Sequence, residues 1–144
     1  MPVRSMPADR PLSQRERVRL IAEILAAYAH ARRALRRAPI TAVVADLRGR
    51  APAGLSASEN RDALTEARRL GRAVARTLAL VPGDTRCLAR SLVLTRLLGR
   101  RGIAAQLVIG ARSTPDFLAH AWVEHAGQAV LSPGDGSFVR LVEL

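Results

Sequence analysis

With 144 residues, 49% of them hydrophobic, the chain can bury one core, and an aromatic content of 3% means that core is built from Leu, Val, Ile and Ala. All 23 basic residues are arginine against 12 acids, and residues 1–80 hold 16 of those arginines with 7 acids, so an anionic partner would meet mainly the N-terminal part. A single cysteine excludes an internal disulfide, no Cys/His cluster is spaced for zinc, and no apolar run approaches the roughly 18 residues of a membrane span.

Residues 1–11 carry three prolines and read as a flexible tail, without the apolar segment of a secretory signal. A reducing cytoplasm is the expected compartment, where Cys87 persists as a free thiol. From Leu12 the pattern turns helical. Ser13 and Glu16 form a capping box, and Val18, Ile21, Leu25 and Tyr28 make an apolar stripe that Leu20 and Ile24 widen. The helix is expected to run to Arg37 and stop before Pro39. A short helix from Ile40 to Arg48 follows, ended by Gly49. Ser58 is expected to cap a third, to Leu80, with Leu64, Ala67, Leu70 and Val74 inward.

The second half reads differently. Val81-Pro82-Gly83 breaks the third helix, and Asp84 is expected to cap a largely buried helix from Thr85 to Arg100, closed by Gly102. Strand-like runs follow at Ala104–Ala111, Phe117–His125 and Gln128–Leu131, the last two joined by the turn Ala126-Gly127, with a possible fourth at Phe138–Leu144. The order implies an α+β fold: an N-terminal helical region, 12–80, and a core, 81–144, in which a central helix is followed by antiparallel strands.

Two residues suggest chemistry. On this reading Cys87 falls in the first turn of the central helix, where unpaired backbone N–H groups and the helix dipole favour a thiolate and can stabilise an oxyanion. The plain alternative is a small buried hydrophobe, the common fate of a free cysteine. His120 follows 33 residues later, in Ala119-His120-Ala121-Trp122-Val123-Glu124. Alternation puts His120, Trp122 and Glu124 on one face and Ala119, Ala121 and Val123 on the other. Its plain alternative is a histidine satisfied by a backbone carbonyl. A thiol and its base need an acceptor for the second imidazole nitrogen. Asp135 is the first candidate, although between two glycines it reads equally as a turn residue. Glu124 lies about 13 Å along an extended strand from His120, and Asp116 precedes the strand.

The stretch Cys87-Leu88-Ala89-Arg90-Ser91 through Arg101-Gly102-Ile103-Ala104-Ala105, then Ile109-Gly110-Ala111-Arg112, then His120-Ala121-Trp122-Val123-Glu124 with Gly127, resembles the transglutaminase-like cysteine protease that processes lasso-peptide precursors. It is similar to the C-terminal half of the microcin-processing B protein family, in the form whose leader-binding half is a separate polypeptide. The resemblance is strong over residues 80–131. It implies a transglutaminase-like or papain-like core that cleaves the leader from a ribosomally made precursor peptide without a cofactor, with Cys87 as nucleophile and His120 as base. It also implies two partners, a leader-binding recognition protein and a macrolactam-forming cyclase. The family's orienting aspartate is expected nearer the position of Ser132 than that of Asp135.

Nucleic acid is not expected as a partner. The cluster Arg32-Arg33-Ala34-Leu35-Arg36-Arg37 supplies only charge, with no aromatic platform and no recognition helix after a tight turn. A first helix lying on an anionic membrane surface, with its arginines at the headgroups, is a further expectation for the basic N-terminal region.

Overall fold

The computed structural model of the chain describes residues 10–49, 56–83 and 87–144. Helix α1 (Gln14–Leu35) begins where Ser13 and Glu16 satisfy each other: the Ser13 N–H donates to Glu16 Oε2 at 2.7 Å and the Glu16 N–H to Ser13 Oγ at 3.3 Å. The expected apolar stripe proves out of phase. Val18, Ile21 and Leu25 are 62%, 45% and 41% exposed, whereas Ile24, Ala27, Tyr28 and Ala31 are buried and Leu20 packs beside them. Apolar spacing fits either face of this helix. The buried one carries Ala27 and Ala31, whose small side chains let α1 approach the central helix closely.

Helix α2 (Ile40–Arg48) ends at Gly49, whose φ of 62° is one that residues with a Cβ rarely adopt. Helix α3 (Ala57–Ala79) is capped by Ser56, not by Ser58. Only Ser56 has a glutamate three residues on, and Glu59 completes its capping box. The expected stripe of α3 is met at Ala67, Leu70 and Val74, which are buried together with Gly71 and Leu78, while Leu64 is only partly buried. Helix α4 (Cys87–Arg100) is the central one, and the expected cap at Asp84 with the first helical residue at Thr85 lies outside the described residues.

Strands β1 (Gln106–Arg112), β2 (Leu118–His125), β3 (Gln128–Ala129) and β4 (Val139–Glu143) form one antiparallel sheet in the order β3-β2-β1-β4. The turn between β2 and β3 has both Ala126 (φ 49°) and Gly127 (φ 76°) in the left-handed region, as a two-residue hairpin requires. Register sorts the side chains. Leu107 opposite Val123 and Ile109 opposite Ala121 share the face that packs on the helices, while Val108, Gly110 and Arg112 lie opposite Trp122, His120 and Leu118 on the other face.

The interior crosses the boundary at residue 80. One cluster joins Ile24 and Tyr28 of α1 and Leu70, Val74 and Leu78 of α3 to Val93, Leu94, Leu97 and Leu98 of α4 and Val123 of β2. A second joins Ala31, Val43, Val44 and Leu47 to Leu92 and Leu107. Two backbone crossings tighten it. A methyl group on Gly99 would lie 2.5 Å from the carbonyl oxygens of both Leu47 and Arg48, and one on Gly71 2.3 Å from that of Val130. Gly99→Ala should therefore lower the unfolding free energy by about 2 kcal/mol, read as a lower urea midpoint, because α2 must move off α4.

One ion pair ties α1 to the end of α4. Arg101 donates to both carboxylate oxygens of Glu23, at 3.0 and 2.9 Å, and also to the Leu97 carbonyl at 3.0 Å. The Arg101 hydrogen bonds hold the Glu23 carboxyl below its ordinary value of 4.5 against the opposing effect of burial. A depressed folded-state pKa means that the stabilisation is present above the unfolded value and lost as pH falls through the folded one. Glu23→Gln should cost about 1 kcal/mol at neutral pH, and the difference from wild type should shrink as urea titrations are repeated at successively lower pH below 4.5.

Candidate active site

Cys87 is the first described residue of α4 and carries a half-buried, free thiol. Its turn is held from two sides: Leu88 packs with Leu92 in one core cluster and Ala89 with Val93 in the other. One turn on, the Nε of Arg90 is buried and has no hydrogen-bond partner among the described residues.

His120 lies near the start of β2, on the face of Trp122 and Glu124 as alternation requires. The Trp122 ring covers Gly110 of β1, where a Cβ would meet ring carbons at 2.9 and 3.0 Å, so glycine makes the room for the indole. The imidazole stacks on Trp122, with ring centroids 5.9 Å apart, and meets the tilted Phe138 ring at 5.1 Å. Its Nε2 lies 2.8 Å from the main-chain oxygen of Ser132. This is the backbone-satisfied histidine that the sequence leaves open. It does not remove the base, because Nδ1 keeps no hydrogen-bond partner among the described residues.

Asp135, the first candidate for orienting the imidazole, makes its hydrogen bonds elsewhere. Its carboxylate faces Arg112, whose Nη1 donates to Oδ2 at 3.0 Å, and Ser137, whose amide donates to Oδ1 at 2.9 Å and whose hydroxyl donates to the same oxygen. The Ser137 bonds, and after them the Arg112 charge, hold the Asp135 carboxyl below its usual range. These partners leave it turned to the loop and to β1, while a carbonyl takes the imidazole. Glu124 is no substitute. It is buried, accepts the Trp122 indole N–H at 2.9 Å, and is paired with Arg140 of β4. Asp116 is exposed in the loop before β2, with no hydrogen bond to His120.

Cys87 and His120 lie on elements that pack together, α4 along β2. Among the described residues no hydrogen bond joins the thiol to the ring. Register puts Ala119 and Ala121 on the face that α4 covers and His120 on the other, so an approach between the two groups passes the small, exposed Ala119 at the open start of β2. Beside this end of the sheet is an open cavity of about 350 Å³, lined by Ala111, Arg112, Phe117, Ser137 and Val139 among others, large enough for a side chain of an extended peptide. No group of three or more metal-ligating side chains occurs among the described residues, nor is any described helix long and apolar enough to cross a membrane.

Arg112 and Phe138 are site neighbours that sequence reasoning passed over. Alternation marks Gly110 and Arg112 as sharing one face of β1. That this is also the face of His120 depends on the β1–β2 register, which no local pattern specifies.

A family model described as "Transglutaminase-like superfamily" matches residues 24–143. Among curated proteins, the "Microcin J25-processing protein McjB" of Escherichia coli is 50% identical over 44 residues, which are 31% of this chain and 21% of that protein. The match therefore spans about a fifth of that relative's length. No solved structure matches.

Glu124 separates structural from chemical roles in this layer. Glu124→Ala leaves the Trp122 N–H buried without its acceptor and should cost about 2 kcal/mol in chemical denaturation, whereas Glu124→Gln, which keeps an acceptor oxygen, should cost less than half as much.

Proposed function

The chain belongs to the transglutaminase-like superfamily, and on that footing we propose that it is a cysteine peptidase that removes the leader from a ribosomally made lasso-peptide precursor. It acts with a separate leader-binding protein and ahead of a macrolactam-forming cyclase. The observation that carries the reading is the imidazole of His120, tied through Nε2 and without a partner at Nδ1 among the described residues, on the strand packed against the helix that carries the chain's sole cysteine. The 44-residue likeness to a microcin-processing protein supports the substrate class.

In this reading the Cys87 thiolate attacks the scissile carbonyl, and the tetrahedral oxyanion is stabilised by backbone N–H groups at the start of α4. Collapse breaks the peptide C–N bond as imidazolium His120 gives its proton to the departing amine, which becomes the new N-terminus of the core peptide. Neutral His120 then takes a proton from water as the water oxygen attacks the thioester, releasing the leader with a free carboxylate and restoring the thiol. In uncomplexed enzymes such hydrogen bonds are often long and tighten only around the substrate, which fits a thiol and imidazole not bonded to each other at rest. The exposed Val18, Ile21 and Leu25 of α1, set among Arg15, Arg19 and Arg32, suit docking of an acidic, partly apolar leader-binding protein.

With precursor peptide and leader-binding protein present, Cys87→Ala and His120→Ala should each reduce cleavage about a thousandfold or more, followed by mass spectrometry of the released core peptide, with the unfolding midpoint of Cys87→Ala nearly unchanged. Cleavage by Cys87→Ala at the wild-type rate would sink the thiol mechanism.

A further inference from the structure

We infer that the loop 132–138 is a latch that sets the tautomer of His120, with the Ser132 main-chain carbonyl as the orienting acceptor and Asp135 holding that carbonyl in place from a distance. The inference takes its mechanistic meaning from the peptidase reading, and its structural part can be tested without it.

A carbonyl oxygen can only accept, so a 2.8 Å contact with Nε2 requires the ring hydrogen on Nε2 and leaves the lone pair of the neutral imidazole on Nδ1. Where a side-chain carboxylate would orient the ring by its own rotamer, a main-chain oxygen is only as well placed as the loop that bears it. Three ties place this one. Ser132 Oγ accepts the Gly134 N–H at 3.2 Å, closing the first bend. Asp135 is held by Ser137 within the loop and by Arg112 of β1, whose Nη1 also donates to Ser137 Oγ at 3.2 Å. Phe138 closes the far end, lying under the Arg112 guanidinium at 5.4 Å and against the His120 ring at 5.1 Å. Gly134 is required for that closure: its φ is 84°, and a Cβ there would lie 2.7 Å from the Phe138 ring. Asp135 is thus a positioning residue that acts through the loop and Arg112, in contact with neither the thiol nor the imidazole.

The chain contains its own reference. His125, five residues along β2, is buried and contacts the Ala104 carbonyl through Nδ1 at 2.7 Å, so its neutral ring carries the hydrogen on the opposite nitrogen. Nitrogen-15 NMR of the full chain at alkaline pH, with its three histidines assigned by His120→Gln and His30→Gln, should show His120 as the Nε2–H tautomer and His125 as the Nδ1–H tautomer. Asp135→Ala and Arg112→Gln should each turn His120 into a tautomer mixture while His125 stays unchanged. Asp135→Asn, which still accepts from Ser137 but turns an amide NH2 toward Arg112, should give a pattern between those of the wild type and Asp135→Ala. In the cleavage assay Asp135→Ala should lower kcat about tenfold with KM nearly unchanged. An Nδ1–H tautomer at His120 in the wild type, or an unaltered His120 spectrum in both Asp135→Ala and Arg112→Gln, overturns the latch. The spectra are independent of Cys87, so failure of the peptidase reading in the Cys87→Ala assay is a separate result.

Discussion

The structure depends on the burial of the middle of α4, from Ser91 to Leu98, over most of its circumference. Leu92, Val93, Leu94, Leu97 and Leu98 are all 0% exposed, and Ser91 and Thr95 between them are equally buried. A helix buried over most of its circumference needs packing partners on several sides, and here α1, α2 and α3 share that task with the sheet. At roughly 1.5–3 kcal/mol for each large side chain, these five residues represent on the order of 10 kcal/mol, comparable to the net stability of an ordinary domain. The N-terminal helices are therefore part of what holds Cys87 in position. The close crossings at Gly99 and Gly71 are where this packing allows no extra atoms.

The opposite face of the sheet obeys another rule. Instead of aliphatic packing it carries a layer of rings and ions: Trp122 over Gly110, Arg140 over Trp122, Arg112 over Phe138, and His120 between the two aromatic rings. The one buried carboxylate there, Glu124, is tolerated because an indole N–H and a guanidinium both serve it. A ring held by stacking and a single hydrogen bond at Nε2 keeps its orientation while Nδ1 stays available, which is the state a general base needs. The bond comes from the backbone because Ser132 stands where a carboxylate is expected and Asp135 is already bonded to Arg112 and Ser137.

The basic charge is distributed in keeping with this division of labour. Of the 23 arginines 16 lie in residues 1–80, where the outer face of α1 is both apolar and arginine-flanked, while Arg112 and Arg140 in the sheet are internal partners of Asp135 and Glu124. Arg15 and Arg19 stand exposed beside that apolar face, whereas the two sheet arginines are committed to the fold.

By itself the sequence determined the elements and singled out Cys87 and His120 on two of them. Helical periodicity, the Ser13–Glu16 box and the breaks at Pro39 and Gly49 are local signals, and each matches the helix that forms. Strand alternation likewise placed His120 with Trp122 and Glu124, because the side-chain period of a strand is a property of its own backbone. Tertiary structure decided what local patterns leave degenerate. Two apolar stripes compete on α1, and the one with Ala27 and Ala31 is buried because only close approach to α4 distinguishes them. Whether Asp135 or a carbonyl meets His120 depends on the path of a seven-residue loop and on the register that sets Arg112 across from Leu118. Hydrogen-bond partners are chosen by distances between segments far apart in the chain, and those distances exist only once the sheet has formed.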